Sequence, residues 1–390
     1  MKVPMTLEPN PTVQTLIARR IRQDVQSMHA YAIQESKGMV KLDAMENPHR
    51  LPPALQAKLG ARLGALALNR YPDGRVNDLR KALADYAAMP AGCDIMLGNG
   101  SDELISLLAM ACDVPVAAGC TKPVILAPLP GFVMYAVSAQ LQGLDFVGVP
   151  LTADFELDVP AMLAAIAQHQ PAIVYLAYPN NPTANLWDAA AMAQVVRAAG
   201  EAGSIVVIDE AYQPFSSRSY IDVIRQDPAG HTHVLLMRTL SKFGLAGVRL
   251  GYMIGAKALI AEVDKVRPPY NISVLNCECA LFALEHADTF AVQAQDIRAQ
   301  RQRLMDALRA MSGVRPFNSD ANMILVRLPA AAGQGEGVDA AQKVFDGLKA
   351  HGILVKNVSK MHPLLANCLR LTVGTADENT RLLAALQETL

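Results

Sequence analysis

Arg238-Thr-Leu-Ser-Lys-Phe-Gly-Leu-Ala-Gly-Val-Arg-Leu-Gly-Tyr252 follows the apolar run Val234 to Met237 and leads into a second run, Gly251 to Ile254. A serine–lysine pair at 241 and 242 therefore leaves the end of one short β-like run just before a glycine-broken loop, with Arg249 seven residues past the lysine. A lysine amine forms an imine with a carbonyl once neighbouring cations or desolvation lower its pKa. Ser241 and the guanidinium fork of Arg249 can hold a nearby phosphate. The stretch reads as a place to hold a phosphorylated aldehyde. Taken alone, Lys242 reads more simply as an exposed lysine, the usual situation for that residue type. The rest of the chain decides between the two.

Outward from this stretch, short β-branched runs alternate with longer segments rich in alanine and leucine. The candidate strands are Val124 to Ala127, Ile173 to Ala177, Ser204 to Ile208, Val234 to Met237 and Gly251 to Ile254. Such alternation predicts an α/β fold whose mainly parallel sheet is covered by helices. Ligands of open α/β sheets gather where the strands end. From about Asp288 the pattern changes to a long helix, Val292 to Met311, and then a strand, Asn322 to Leu328. The expected organisation is an N-terminal segment over 1–53, a large domain over 54–288 and a smaller α+β domain over 289–390. The N-terminal segment has little room for a core and is expected to pack on the small domain or on a partner subunit. The small-residue stretch Ala330 to Gly337 reads as a mobile loop, since strand and helix patterns resume on either side of it.

The chain of 390 residues is long enough for two large cores. Its composition, 52% hydrophobic and 18% charged, is that of a folded globular protein rather than a disordered one. With 35 basic and 36 acidic residues the formal net charge is -1, which gives no overall electrostatic reason for a nucleic-acid or anionic-membrane partner. No apolar run approaches a membrane span, and Met1 to Thr6 lacks a secretory signal pattern, so the default expectation is cytoplasmic. Cysteines 93, 112, 120, 277, 279 and 368 are scattered without a second close pair or a histidine cluster. They read as reduced thiols, and no metal site is expected.

Four further motifs lie beside candidate strands. Gly98-Asn-Gly-Ser-Asp-Glu103 precedes the apolar-periodic run Leu104 to Ala111, with Ser101 or a neighbour as N-cap. A helix N-terminus offers free N–H groups to an anion, although a capped helix with no ligand looks the same. Asp209, directly after an apolar strand in Ile205-Val-Val-Ile-Asp-Glu-Ala-Tyr212, can pair with a protonated ring nitrogen or simply cap the next helix. The pairing is what pyridoxal phosphate requires, because its pyridinium is an electron sink. Tyr178-Pro-Asn-Asn-Pro-Thr183 is a rigid turn from which an asparagine amide can reach a ring hydroxyl. Pro128-Leu-Pro-Gly-Phe-Val-Met-Tyr135 supplies Phe132, suited to cover a heteroaromatic face or to fill a core.

In this order, and over nearly the whole chain, the motifs resemble the fold type I pyridoxal-phosphate enzymes, the aspartate-aminotransferase superfamily. Within it the chain is most similar to the histidinol-phosphate aminotransferase family. The matching segments are Leu42 to Pro48, Arg70 to Asp73, Gly98 to Glu103, Asn180 to Thr183, Asp209 to Tyr212, Thr239 to Lys242 and Asn367 to Thr375. The resemblance implies an aspartate-aminotransferase-like large domain and pyridoxal 5'-phosphate as cofactor. It makes Lys242 the Schiff-base lysine, Asp209 the partner of the ring nitrogen, and Asn181 and Tyr212 the ligands of the ring hydroxyl. Phe132 matches the stacking aromatic, while Ser241, Arg249 and the backbone of Gly100, Ser101 and Asp102 match the phosphate cradle. Tyr71 is implied to reach the cofactor phosphate of the neighbouring subunit of a homodimer. Arg370 matches the substrate-anion arginine, with Tyr31 and Lys356 as further substrate-phosphate contacts.

The implied reaction is ping-pong transamination of L-histidinol phosphate with 2-oxoglutarate, giving imidazole-acetol phosphate and glutamate in histidine biosynthesis. An aromatic-amino-acid aminotransferase shares the whole cofactor site and is the nearest alternative. A decarboxylase of phosphorylated amino acids and an aminotransferase-like regulator lie further off. The first 50 or so residues offer the regulator no helix-turn-helix pattern or basic patch. Four departures from the family pattern stand out. The loop from Lys242 to Arg249 is one residue shorter than the commonest form, Ala184 replaces the usual glycine, Met45 replaces a frequent asparagine, and Lys356 stands where some relatives carry arginine.

Overall fold

A computed structural model describes residues 12–28, 34–114, 122–329 and 340–390. Tyr31 and the loop expected over 330–337 lie outside the described residues. Contacts divide the chain into two compact units, 1–37 and 38–390. In the first, helix Val13–Arg20 is capped by Thr12, whose hydroxyl accepts from the Thr15 N–H. The short helix Gln23–Gln26 follows it.

In the second unit the described residues form three sheets. Strand β1 (Val40–Lys41) precedes the large sheet, which contains β2 (Cys93–Gly98), β3 (Val124–Leu129), β4 (Asp145–Pro150), β5 (Ile173–Ala177), β6 (Ile205–Asp209), β7 (Val234–Thr239) and β8 (Gly251–Ala256). Their order is β2-β8-β7-β6-β5-β3-β4. Only β8 runs antiparallel to its neighbours, so the sheet is mainly parallel as expected. The central strands are buried on both faces, and for that reason β5 and β7 show unbroken apolar runs rather than alternation.

The strands missing from the β-branched pattern are the two edges. In β4, Gly148 and Pro150 interrupt the run and Asp145 is exposed, which an edge strand tolerates because its outer groups need no partner. In β2, Cys93-Asp-Ile-Met-Leu-Gly98 contains a single β-branched residue, and its inner half is buried by pairing with β8.

The remaining strands are β9 (Arg315–Pro316), β10 (Met323–Arg327), β11 (Ile353–Leu354), β12 (Lys356–Asn357) and β13 (Cys368–Thr372). Four of them make an antiparallel sheet in the order β12-β13-β10-β9, while β1 pairs in parallel with β11. The helix expected over Val292 to Met311 starts earlier, spanning Ala287–Ala310. Its buried Ile297, Leu304 and Leu308 share an apolar cluster with Ile324 and Val326 of β10 and with Leu382 and Leu386 of the final helix, Ala376–Thr389.

Candidate active site

Ser101, Asp102, Phe132, Asn181, Asp209, Tyr212, Ser241, Lys242 and Arg249, nine of the residues singled out from the sequence, line one pocket. They arrive there because β6 and β7 end at Asp209 and Thr239, and β3 and β5 feed the turns bearing Phe132 and Asn181. A second cavity sits at the other ends of the strands, between Cys93, His231 and Ile254. It offers no lysine, arginine or carboxylate among its described lining residues.

Asp209 is the last residue of β6 and is buried. Its Oδ2 accepts from the Tyr135 hydroxyl at 2.7 Å, and its Oδ1 accepts from the Ala211 N–H at 3.0 Å. Burial pushes the carboxyl up to about 6, with these two donors acting in the opposite direction. Tyr135 is itself buried, with its ring stacked on Tyr175 at 4.2 Å. One residue beyond Asp209, buried Glu210 accepts from Arg238 Nε at 2.9 Å, and Arg238 Nη2 donates to Ser219 Oγ. This pair ties the ends of β6 and β7 together beneath the pocket.

After β7 the chain makes one wide turn, Ser241–Leu245, kinked inside by Gly244 at φ 142°. A side chain on Gly244 would meet the Phe290 ring at 2.9 Å. The Lys242 amine donates to the Ala44 carbonyl at 2.8 Å and lies 6.0 Å from the Tyr212 ring centroid. Desolvation, helped by the charge of Arg370, lowers its pKa to about 8.

The anion cradle is built around glycines. Gly100, at φ 84°, is the N-cap of helix Ser101–Ala111, whereas Ser101 is its first helical residue. No side chain caps this end, so the first-turn N–H groups keep their donors for an anion. A Cβ on Gly100 would lie 2.6 Å from Arg249 Nη2, and one on Gly251 would lie 2.7 Å from the Gly100 carbonyl carbon. Arg249, in the left-handed region at φ 54°, donates to Ser241 Oγ at 3.3 Å and pairs with Asp102 at 3.3 Å.

Arg370 lies within β13 and is buried. Its Nη1 donates to Asn181 Oδ1 at 2.7 Å and its Nη2 to the Asp43 carbonyl at 2.7 Å. Lys356 stands directly opposite Arg370 in the β12–β13 register, on the same face of the sheet; neither is one of the residues lining the pocket, which Arg370 meets through Asn181. Tyr71 lies apart from the pocket: it is 77% exposed, and its ring stacks on Tyr270 at 4.6 Å.

Two components had no separate signal in the sequence. One is Tyr135, although its phenol closes the same proline-rich motif as Phe132. The other is the backbone of Asp43, Ala44 and Met45, whose successive carbonyls accept from Arg370, Lys242 and Asn322.

The residues present suit pyridoxal phosphate. Asp209 could face a ring nitrogen, Asn181 and Tyr212 a ring oxygen, and Phe132 a ring face, with Ser101, Asp102, Ser241 and Arg249 left for the phosphate.

Comparison with known proteins gives the family. The family model described as aminotransferase class I and II matches residues 37–386. The chain is 70% identical to the histidinol-phosphate aminotransferase of Polaromonas naphthalenivorans (strain CJ2), covering 98% of this chain and 99% of that one. Identity to the protein of the same name from Methylibium petroleiphilum is 68%, covering 97% and 96%. Among solved structures, the histidinol-phosphate aminotransferase from Sinorhizobium meliloti in complex with pyridoxal-5'-phosphate matches with a TM-score of 0.78 at 26% identity, covering 95% and 97% of the two chains.

Proposed function

The chain belongs to the class I and II aminotransferases, and we propose that it transfers the amino group of L-histidinol phosphate to 2-oxoglutarate, using pyridoxal phosphate held in the pocket around Lys242. One observation carries the chemistry: a lysine with a pKa lowered to about 8 shares its pocket with the buried Asp209 carboxyl, with Ser241 and Arg249, and with the N-terminus of helix Ser101–Ala111. Identity of 70% to a named histidinol-phosphate aminotransferase carries the choice of substrate.

When bound, the cofactor supplies an electron sink for charge developing at the substrate carbon. The chain's own residues do the rest. Ser241, Arg249 and the N–H groups of Ser101 and Asp102 would hold the phosphate. Asp209 would face the protonated ring nitrogen, and Asn181 and Tyr212 would bind the ring hydroxyl. The Lys242 Nζ is the base for the proton on the substrate carbon, a role suited to a pKa near the working pH. Arg370 binds the anion of each substrate in turn, with Lys356 and Tyr31 as further phosphate contacts.

Tyr71, exposed on its own chain, reaches the cofactor phosphate of a second copy in a homodimer. A cytoplasmic setting belongs to the same reading. Among the described residues no helix is long and apolar enough to cross a membrane.

The test is a donor comparison with histidinol phosphate, phenylalanine and tyrosine, read as glutamate formed from 2-oxoglutarate. Histidinol phosphate is expected to dominate; a preference for the aromatic amino acids would replace this substrate assignment. Release of carbon dioxide without a keto-acid acceptor would replace the reaction type. Lys242→Ala is expected to keep the fold and lose multiple turnover, and retained turnover would remove Lys242 from its role.

A further inference from the structure

Beside the pocket, the main chain of residues 43–45 holds Lys242, which lines it, and Arg370, which packs on the lining residue Asn181. The carbonyls of Asp43, Ala44 and Met45 accept from Arg370 Nη2 at 2.7 Å, Lys242 Nζ at 2.8 Å and Asn322 Nδ2 at 3.0 Å. The Met45 N–H donates to Thr372 Oγ1 at 3.0 Å. Four bonds to residues far away in sequence thus fix the course of this short segment.

That course places Met45 at φ 52°, the left-handed region that long L side chains rarely occupy and that asparagine adopts more readily. The backbone requirement alone favours asparagine or glycine. The residue present is nonetheless a methionine, 7% exposed, that lines the pocket and shares an apolar cluster with Tyr212. Around it the pocket presents Lys242, Asp209, Asn181 and Arg249 together with Phe132, Ala177, Pro179, Ala211 and Tyr212. A thioether at this point adds a flexible, polarisable apolar surface of the kind that rests well against a flat ring.

We infer that Met45 is a specificity-determining residue whose side chain contacts the ring of the amino donor. The inference rests on the aminotransferase reading above. Donor and acceptor occupy one site in turn, and only the donor carries a ring. Met45 therefore acts on one half-reaction and is silent in the other.

The experiment measures the two half-reactions of the cofactor-loaded protein separately, with histidinol phosphate and with 2-oxoglutarate, in wild type, Met45→Asn and Met45→Leu. Met45→Asn is expected to lower kcat/KM for the donor half-reaction by about tenfold, the scale of a lost apolar contact in a specificity pocket, and to leave the acceptor half-reaction unchanged. Met45→Leu, which keeps an apolar side chain, is expected to stay near wild type in both. Thermal melting gives a readout independent of turnover: Met45→Asn loses a buried apolar contact but tolerates the left-handed backbone, so it is expected to melt below wild type and still unfold cooperatively, with Met45→Leu near wild type.

Equal losses in both half-reactions would overturn the inference, since the residue would then act only through the backbone that holds Lys242 and Arg370. Unchanged rates in both would overturn it as well. If Met45→Asn does not fold, Met45→Ala removes the same contact and is read by the same criteria. Wild type that prefers phenylalanine would sink the substrate assignment alone, and the comparison would then run with phenylalanine as the ring donor.

Discussion

Asp209 is held as a carboxylate in a place that disfavours charge. Burial pushes it up to about 6 from an ordinary 3.8, so in the cofactor-free protein its contribution to stability is complete below pH 4 and is lost as pH rises through 6. Asp209→Asn removes that dependence. In urea unfolding of cofactor-free protein, its stability relative to wild type is expected to grow between about pH 4 and 7, by roughly 2 kcal/mol. Tyr135→Phe deletes a hydrogen bond that favours the ionised form, and the carboxyl should rise further. The pH profile of cofactor affinity is expected to move up by about one unit, and an unmoved profile would show that the bond does not tune Asp209. Burial shifts Lys242 in the opposite direction, downward. Arg370→Gln takes away a charge that lowers its pKa, so the amine should titrate above its present value of about 8, read from the pH dependence of borohydride trapping. Lys242, Asp209 and Asn181 were legible in the sequence because each follows an apolar strand in a recognisable motif. The carbonyls of Asp43 and Ala44 were not, because every residue has a carbonyl. Their partners Arg370 and Lys242 lie 327 and 198 positions away.

Between elements, the decisive contact is the close approach of β8 to the N-terminus of helix Ser101–Ala111. A Cβ on Gly251 would lie 2.7 Å from the Gly100 carbonyl carbon and 2.8 Å from the Ser101 nitrogen, both main-chain atoms that cannot step aside as a side chain can. Gly251→Ala is therefore expected to cost about 1–3 kcal/mol of stability and to weaken cofactor binding with it, measured by thermal melting and by fluorescence titration. Gly247→Ala, where an added Cβ meets nothing within 4 Å, is the matched control. The glycines announced a turn in the sequence; that two of them make room for one cradle depends on β2 and β8 being neighbours, which no local pattern reveals. The same limit applied to the strands. Those in the middle of the sheet declare themselves by continuous apolar runs, whereas β2 and β4 owe their extended form to neighbours more than to their own residues.

At the scale of the whole molecule, the exposed Tyr71–Tyr270 stack is the natural test of a site shared between copies. Tyr71→Ala is expected to weaken cofactor binding, and Lys242→Ala to stop turnover. Unfolded together and refolded as a mixture, the two variants are expected to regain activity above either alone, because one site in each mixed pair would contain both native residues. Absence of recovery would count against a Tyr71 contribution from the partner. Within one chain, too, the pocket is assembled from distant parts, with Lys242 near the middle and Arg370 twenty residues from the end. During synthesis the large sheet and Lys242 leave the ribosome first, and Arg370 follows after roughly ten seconds at ordinary elongation rates. Until then, Ala44 and Asp43 have one of their two charged partners at most. With the roles proposed for Lys242 and Arg370, a nascent chain carries its imine-forming amine before the group that selects a substrate for it, and chemical competence and selectivity begin at different moments in the protein's life.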